Sequence, residues 1–104
     1  MKLSDVSARA LEIRDLFRKR EIKTWNRKDI MLGFLGDVGD LAKLVLAQEG
    51  LRNIPDQHRK LEHELADCLW SLMILAKEYD VDIGTAFART MDEIERNCAL
   101  KPQA

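Results

Sequence analysis

Two pairs of acidic residues are the groups in this sequence that are best placed to do chemistry. Asp37 and Asp40 form the first pair, Glu64 and Asp67 form the second, and each pair is spaced i, i+3 within apolar surroundings. Residues three apart lie on the same face of an α-helix. Either pair alone would be typical of ordinary surface charge. Two pairs in apolar stretches predict a compensating cation, because an unpaired buried carboxylate is costly.

Four converging carboxylates would supply the hard oxygen ligands that Mg²⁺ prefers, and Mn²⁺ is the alternative. Mg²⁺ usually keeps some coordination positions for water and phosphate oxygens, so the pattern favours phosphate chemistry. A di-iron carboxylate centre would need two Glu-x-x-His motifs. The two histidines, His58 and His63, do not fit that pattern and are expected on the helix surface.

The two cysteines do not indicate nucleophilic catalysis. Neither Cys68 nor Cys98 has a histidine partner close in sequence, and the apolar neighbours of Cys68 predict a core position. Their spacing also gives no disulfide framework, which is typical of a reducing compartment. We therefore expect a cytoplasmic protein.

Composition limits the classes of partner. The 104 residues are 46% hydrophobic, which suits one domain spanning residues 1–104 with one modest core. Lys and Arg number 17 against 18 for Asp and Glu, so there is no excess positive charge to attract nucleic acid or an acidic membrane. No window resembles a signal peptide or a membrane span. We expect neither nucleic acid nor membrane as a partner.

Helical periodicity accounts for most of the chain, and no strand pattern is present. Asn26 followed by Asp29 predicts the start of the second helix, and Asp82 predicts the cap of the fourth. The predicted helices run from Leu3 to about Arg20, from after Asn26 to about Gln48, from about Pro55 to about Tyr79, and onward from Asp82. This pattern predicts an all-α four-helix bundle. A short connection between the second and third helices predicts that they are antiparallel, which brings the acid pairs together.

The second helix should be the central element. It is apolar around more of its circumference than one small bundle can cover, so we expect it to be buried on most sides and the protein to form a homodimer or a dimer of dimers. Gly33, Gly36 and Gly39 recur every three residues in it, and each costs up to about 1 kcal/mol relative to alanine. Close helix crossing and space for a ligand beside the acids are both possible reasons.

Two segments resemble a known family. Gly-Asp-Val-Gly-Asp-Leu-Ala-Lys-Leu at 36–44 and His-Glu-Leu-Ala-Asp-Cys-Leu-Trp at 63–70 are similar to the MazG-like all-α nucleoside triphosphate pyrophosphohydrolases. The resemblance covers about Trp25 to Met91 and implies that the four acids bind Mg²⁺. It also implies that a nucleoside triphosphate is cleaved between its α and β phosphates, giving a nucleoside monophosphate and pyrophosphate. Such an activity would remove unwanted nucleotides from the cellular pool.

The sequence departs from the family pattern at several positions. Asp37 and Asp40 replace the usual glutamates, which shortens both side chains by one methylene, and Gly36 replaces a further glutamate that some branches carry. Thr90 and Ile94 stand where relatives have a phosphate-binding lysine and an asparagine. An alternative function is therefore a catalytically weak or inactive nucleotide-binding or interaction module.

Further residues are assigned to catalysis and substrate binding. Glu64, which has the longest side chain of the four acids, is predicted to accept a proton from the attacking water. Trp25 is expected either to stack on the nucleobase or to pack against the second helix. Lys28 is a candidate phosphate ligand, and Arg89 or Arg96 is the candidate replacement for the missing lysine.

Overall fold

The computed structural model describes residues 1–20 and 26–100. This part of the chain contains four α-helices and no β-strand, as the periodicity predicts. The helices are α1 (Leu3–Lys19), α2 (Arg27–Gln48), α3 (Gln57–Glu78) and α4 (Ile83–Leu100). None of the described helices has the length and apolar composition needed to cross a membrane.

Local hydrogen bonds fix the starts of two helices where the sequence predicts them. At α2, the side chain of Asn26 accepts from the backbone N–H of Asp29 at 2.9 Å, and the carboxylate of Asp29 accepts from the N–H of Asn26 at 3.3 Å. At α4, the carboxylate of Asp82 accepts from the N–H of Thr85 at 3.1 Å. These bonds satisfy amide groups that have no partner inside the helix.

The start of α3 is built differently. Asp56 precedes the helix in the left-handed region, with φ of 54°, and its side chain makes no capping hydrogen bond. Pro55 precedes Asp56, so it lies just before the helix instead of in its first turn. The left-handed conformation costs a non-glycine residue about 1–2 kcal/mol. Contacts of the surrounding loop must offset this cost.

The core lies where α1, α2 and α3 meet. Ile74 of α3 is fully buried and packs with Ala10, Ile30 and Met73. Trp70 closes the α1 side of this cluster, because its indole N–H donates to the carbonyl of Ala10 at 3.2 Å. Residues near the start of α2 thus meet residues near the end of α3, which confirms that the two helices are antiparallel.

A single carboxylate links the same three helices at one end. Glu78 of α3 lies 3.0 Å from Arg18 and 3.5 Å from Arg14 of α1, and 3.8 Å from Arg27 of α2. The guanidinium of Arg27 also lies 4.8 Å above the centre of the Tyr79 ring. This arrangement fixes the ends of α1 and α3 relative to the start of α2.

The prediction that α2 is buried on most sides is wrong for the single chain. Only Ile30, Leu44 and Ala47 of this helix are buried, whereas Leu32 is 67% exposed and Leu35 is 62% exposed. The physical reason is that α2 packs mainly on α3, and α1 packs on α3 as well. None of the described helices packs extensively along the remaining faces of α2.

Helix α4 is not packed along the other three helices. Its first turn contacts the core through Ile83, but Phe87 and Ile94 on its apolar face are 60% and 50% exposed. The radius of gyration is 17.0 Å, compared with about 13 Å for a compact chain of this length. The four predicted helices are present, but only three of them form the packed part of the described chain.

Glycine at positions 33, 36 and 39 is not explained by close helix crossing. A Cβ atom built at any of these positions would meet nothing within 4 Å among the described residues. The glycines instead leave open space on α2, and Gly33 borders a cavity beside Asp37.

Candidate metal centre

Three of the four predicted acidic residues come together between α2 and α3. Asp37, Asp40 and Glu64 each offer a carboxylate oxygen, and these oxygens all lie within 4.8 Å of one another. We call these three residues the acid group. Asp37 and Glu64 are partly buried, while Asp40 is exposed. The antiparallel packing of two helices with i, i+3 acids produces this arrangement.

The acid group has the ligand type that a divalent cation prefers, and its oxygens would have to move closer together to bind one ion. Two oxygens that each lie about 2.1 Å from a Mg²⁺ ion can be at most about 4.2 Å apart. The limit of 4.8 Å in the acid group is close to that span, so small side-chain movements would allow simultaneous binding. Carboxylate oxygens without sulfur or imidazole ligands favour Mg²⁺ or Mn²⁺ over softer metals.

Burial and neighbouring negative charges both raise the pKa of Glu64. Burial raises the pKa of its carboxyl group, and the nearby charge of Asp37, a hydrogen bond with Asp37 and the charges of Asp67 and Asp40 raise that pKa further. All these effects oppose the ionised form in the absence of a cation. A bound cation would reverse them.

Asp67 has a different partner in this structure. It lies one turn after Glu64 on α3, but its carboxylate is 3.2 Å from Nε2 of His63 and does not belong to the acid group. His63 is exposed, as predicted, and its position four residues before Asp67 explains the contact. Asp67 would have to leave His63 to bind the same cation as the other three acids.

A cavity lined by aromatic residues lies on one side of the acid group. It has a volume of about 490 Å³, and it reaches from Asp37 and Asp67 to Phe17 and Trp70. The two aromatic rings meet edge to face with their centres 6.2 Å apart. We call this space the aromatic cavity. Trp70 therefore both packs on the core and lines this cavity.

A second cavity lies on the other side and contains cationic side chains as well as carboxylates. It has a volume of about 430 Å³ and is lined by Asp40 and Glu64 together with Lys43, Arg59 and Lys60. We call this space the basic cavity. Its cations were not identified from the sequence, although the signal was present: Lys43 is three residues after Asp40, and Lys60 is four residues before Glu64.

Of the other predicted substrate residues, those that the structure describes do not line these cavities. Trp25 is outside the described residues. Lys28 is exposed in the first turn of α2, about 13 Å along the helix from Asp37. Arg89 is exposed on α4. Neither Lys28 nor Arg89 lines the aromatic or the basic cavity, so their roles stay predictions.

Cys68 is a core residue beside the acid group, as expected. It is buried, and burial raises the pKa of its thiol, with further contributions from the charges of Asp37, Glu64 and Asp67. The neutral thiol is therefore favoured, which is the opposite of what a nucleophilic cysteine requires.

The described chain is all-helical, and it brings three carboxylates together between α2 and α3. The family model described as the MazG nucleotide pyrophosphohydrolase domain matches residues 26–99. The chain belongs to this family, which confirms the resemblance of its two acidic motifs. No curated protein and no solved structure matches the chain. Members of the family generally hydrolyse nucleoside triphosphates with the help of divalent metals.

Proposed function

We propose that this protein is a Mg²⁺-dependent nucleoside triphosphate pyrophosphohydrolase. It cleaves its substrate between the α and β phosphates and releases a nucleoside monophosphate and pyrophosphate. The observation that carries this proposal is the meeting of Asp37, Asp40 and Glu64 within 4.8 Å in a MazG domain. Clustered carboxylates facing two cavities suit a reaction on a metal-bound polyphosphate.

Asp37, Asp40 and Glu64 would hold the metal, with Asp67 as a fourth ligand after it turns away from His63. When bound, Mg²⁺ would neutralise phosphate charge and lower the pKa of a coordinated water. Mn²⁺ is expected to substitute, because it accepts the same oxygen ligands.

Glu64 is the proposed general base. It reaches the acid group from α3, whereas both aspartates reach it from α2, so its carboxylate can face a water held between the two helices. Its side chain is also the longest of the group. A base in this position would take the proton from the water that attacks the substrate.

The aromatic cavity is the proposed site of the nucleobase. Its volume of about 490 Å³ lies within the usual range of small-molecule sites, and Phe17 and Trp70 offer rings for stacking. Asp37, Asp67 and Ser71 are among its polar lining residues. Trp25, which precedes α2, would extend this surface, and Lys28 and Arg89 remain proposed phosphate contacts.

A homodimer or a dimer of dimers is the proposed assembly. Exposed apolar side chains on α2, such as Leu35 and Val38, and on α4, such as Phe87, leave two apolar faces without a helix of the same chain. A second copy would cover them and could place its α4, with Arg89, near the acid group. Sedimentation should show a dimer or tetramer that Leu35→Glu weakens, while a stable monomer of the parent protein would contradict this assembly.

A panel of nucleoside triphosphates with Mg²⁺ or Mn²⁺, assayed for pyrophosphate, tests the activity. Asp37→Asn and Asp67→Asn should each reduce turnover while helix content, followed by circular dichroism, stays unchanged. If Asp67→Asn binds Mg²⁺ and nucleotide as well as the parent protein does, Asp67 is not a ligand.

The second candidate function is nucleotide binding without turnover. It is favoured by one observation, the pairing of Asp67 with His63 outside the acid group. Metal-dependent nucleotide binding with no pyrophosphate release would support this alternative, whereas pyrophosphate release would exclude it.

A further inference from the structure

The basic cavity contains cationic side chains that the metal centre itself does not need. Lys43 lies 4.0 Å from Asp40, at the limit of an ion pair, and is 54% exposed at its side chain. Within residues 1–20 and 26–100, neither Arg59 nor Lys60 forms an ion pair with a carboxylate. These two cations come from the first turn of α3, one turn before Glu64. They are free to meet an anion.

The charge of this cavity depends on the metal. Lys43, Arg59 and Lys60 face three carboxylates, those of Asp40, Asp56 and Glu64. Without a cation these charges balance. A divalent ion on Asp40 and Glu64 would leave the cavity with excess positive charge, which suits a multiply charged anion. Anion binding in this cavity would then depend on occupation of the metal centre.

The two cavities lie at opposite sides of the acid group along α2. Gly33 borders the aromatic cavity and Lys43 borders the basic cavity, so the outer edges of the two cavities lie about 15 Å apart along the helix. A nucleoside triphosphate in an extended conformation can span this distance. With its base in the aromatic cavity, its terminal phosphates would reach the basic cavity and its α phosphate would lie at the acid group.

We propose that Lys43, Arg59 and Lys60 form the subsite for the β and γ phosphates and thereby make the protein selective for nucleoside triphosphates over diphosphates. This assignment rests on the proposed hydrolase function. Arginine binds two phosphate oxygens at once and lysine adds a point charge, so a triphosphate gains contacts that a diphosphate lacks. Selectivity for the length of the phosphate chain follows from these contacts.

The same residues would assist departure of pyrophosphate. The water oxygen forms a bond to the α phosphorus, and the bond from the α phosphorus to the bridging oxygen breaks. The electron pair of that bond leaves on pyrophosphate, while the proton of the water passes to Glu64. Cations in the basic cavity stabilise the negative charge that develops on the departing pyrophosphate.

Binding of inorganic pyrophosphate in the presence of Mg²⁺ tests this subsite without turnover. Isothermal titration calorimetry should show that the parent protein binds pyrophosphate. The double variant Arg59→Ala/Lys60→Ala should bind it at least about tenfold more weakly, since the loss of one hydrogen bond to a charged group changes Kd by about that factor. Arg52→Ala is the matched control, because Arg52 is an exposed cation of the neighbouring loop that does not line the cavity. It should leave the affinity unchanged.

Hydrolysis separates the two proposals. The double variant should lose most of the ratio of kcat/KM for a triphosphate over the diphosphate with the same base. Unchanged pyrophosphate affinity and an unchanged ratio in the double variant would overturn the subsite and leave the hydrolase function intact. A parent protein that hydrolyses no triphosphate but binds pyrophosphate through Arg59 and Lys60 would contradict the hydrolase function and retain the anion site.

Discussion

Replacement of Glu64 by glutamine should change the stability of this protein in opposite directions with and without Mg²⁺. Without metal, the oxygens of Asp37, Asp40 and Glu64 lie within 4.8 Å of one another. Two unit charges at that distance repel by about 0.9 kcal/mol in bulk water and by about 3.5 kcal/mol at an effective dielectric constant of about 20. Since the group is partly exposed, the smaller value is the better guide, and the removal of two such repulsions should raise the free energy of unfolding by about 1–2 kcal/mol.

With Mg²⁺, the parent protein should be more stable than Glu64→Gln. A ligand at a hundredfold excess over its Kd stabilises the folded state by about 2.7 kcal/mol. Glu64→Gln removes one ligand, so the variant should gain much less than the parent protein. One kcal/mol corresponds to about 4–8 °C in Tm for a domain of this size. The variant should therefore melt several degrees above the parent in EDTA and several degrees below it in excess Mg²⁺.

The pH dependence follows from the raised pKa of Glu64. The folded protein holds this proton more tightly than the unfolded chain does. In EDTA, the parent should therefore lose stability as pH rises from the ordinary pKa of a glutamate through the raised pKa of Glu64. Stabilisation by Mg²⁺ should grow over the same range, because metal binding requires the deprotonated carboxylate. Glu64→Gln should lack both effects.

Thermal unfolding followed by circular dichroism, in EDTA and in excess Mg²⁺, measures these differences. Glu62→Gln is a suitable control, because Glu62 is on the same helix but lies outside the acid group and beside His58. The reasoning is refuted if Glu64→Gln melts below the parent in EDTA, or if Mg²⁺ stabilises both proteins equally.

Three further predictions test the burial of side chains and the capping of α2. Ile74→Ala should destabilise the protein by about 2–5 kcal/mol in urea unfolding, because Ile74 is fully buried; a loss below that range would show that the core lies elsewhere. Asn26→Ala should cost about 1 kcal/mol by removal of the cap of α2, and Asn26→Asp should retain most of that stability. Iodoacetamide should label exposed Cys98 well before buried Cys68, as peptide mass spectrometry would show; faster labelling of Cys68 would contradict its burial and raised pKa.

The starts of α2 and α4 could be predicted because they depend on neighbouring residues. Asn26 bonds to Asp29, and Asp82 bonds to Thr85, each across three positions of the chain. Hydrogen bonds over such short separations can be predicted from the sequence alone. The left-handed conformation of Asp56 at the start of α3 was harder to predict from the sequence, since the conformation of the preceding loop decides it.

The packing of α2 and α4 could not be predicted from their own sequences. An apolar face on a helix shows that something covers it but does not show what. The density of apolar residues on α2 suggested burial by the other helices of the chain, yet Leu32 and Leu35 are exposed. The exposure of the apolar face of α4 depends on how the other helices pack, which its own sequence does not encode.

The candidate metal centre was predictable to the extent that it depends on helix geometry. Asp37, Asp40 and Glu64 meet because two i, i+3 faces pack in antiparallel helices. Asp67 was expected with them, but an imidazole one turn away on α3 competes for its carboxylate. The cations of the basic cavity were overlooked because a charged residue on an amphipathic helix is usually only solvated, and only the fold shows that they share a cavity with the acids.

Hydrolysis of a nucleoside triphosphate with Mg²⁺ in ¹⁸O-labelled water tests the central claim most directly. Mass spectrometry of the products identifies the bond that breaks and the phosphorus atom that water attacks. The proposed geometry predicts unlabelled pyrophosphate and a nucleoside monophosphate that carries one ¹⁸O atom, with no products after Glu64→Gln or without metal. Release of inorganic phosphate and a nucleoside diphosphate, or turnover that survives Glu64→Gln, would contradict it.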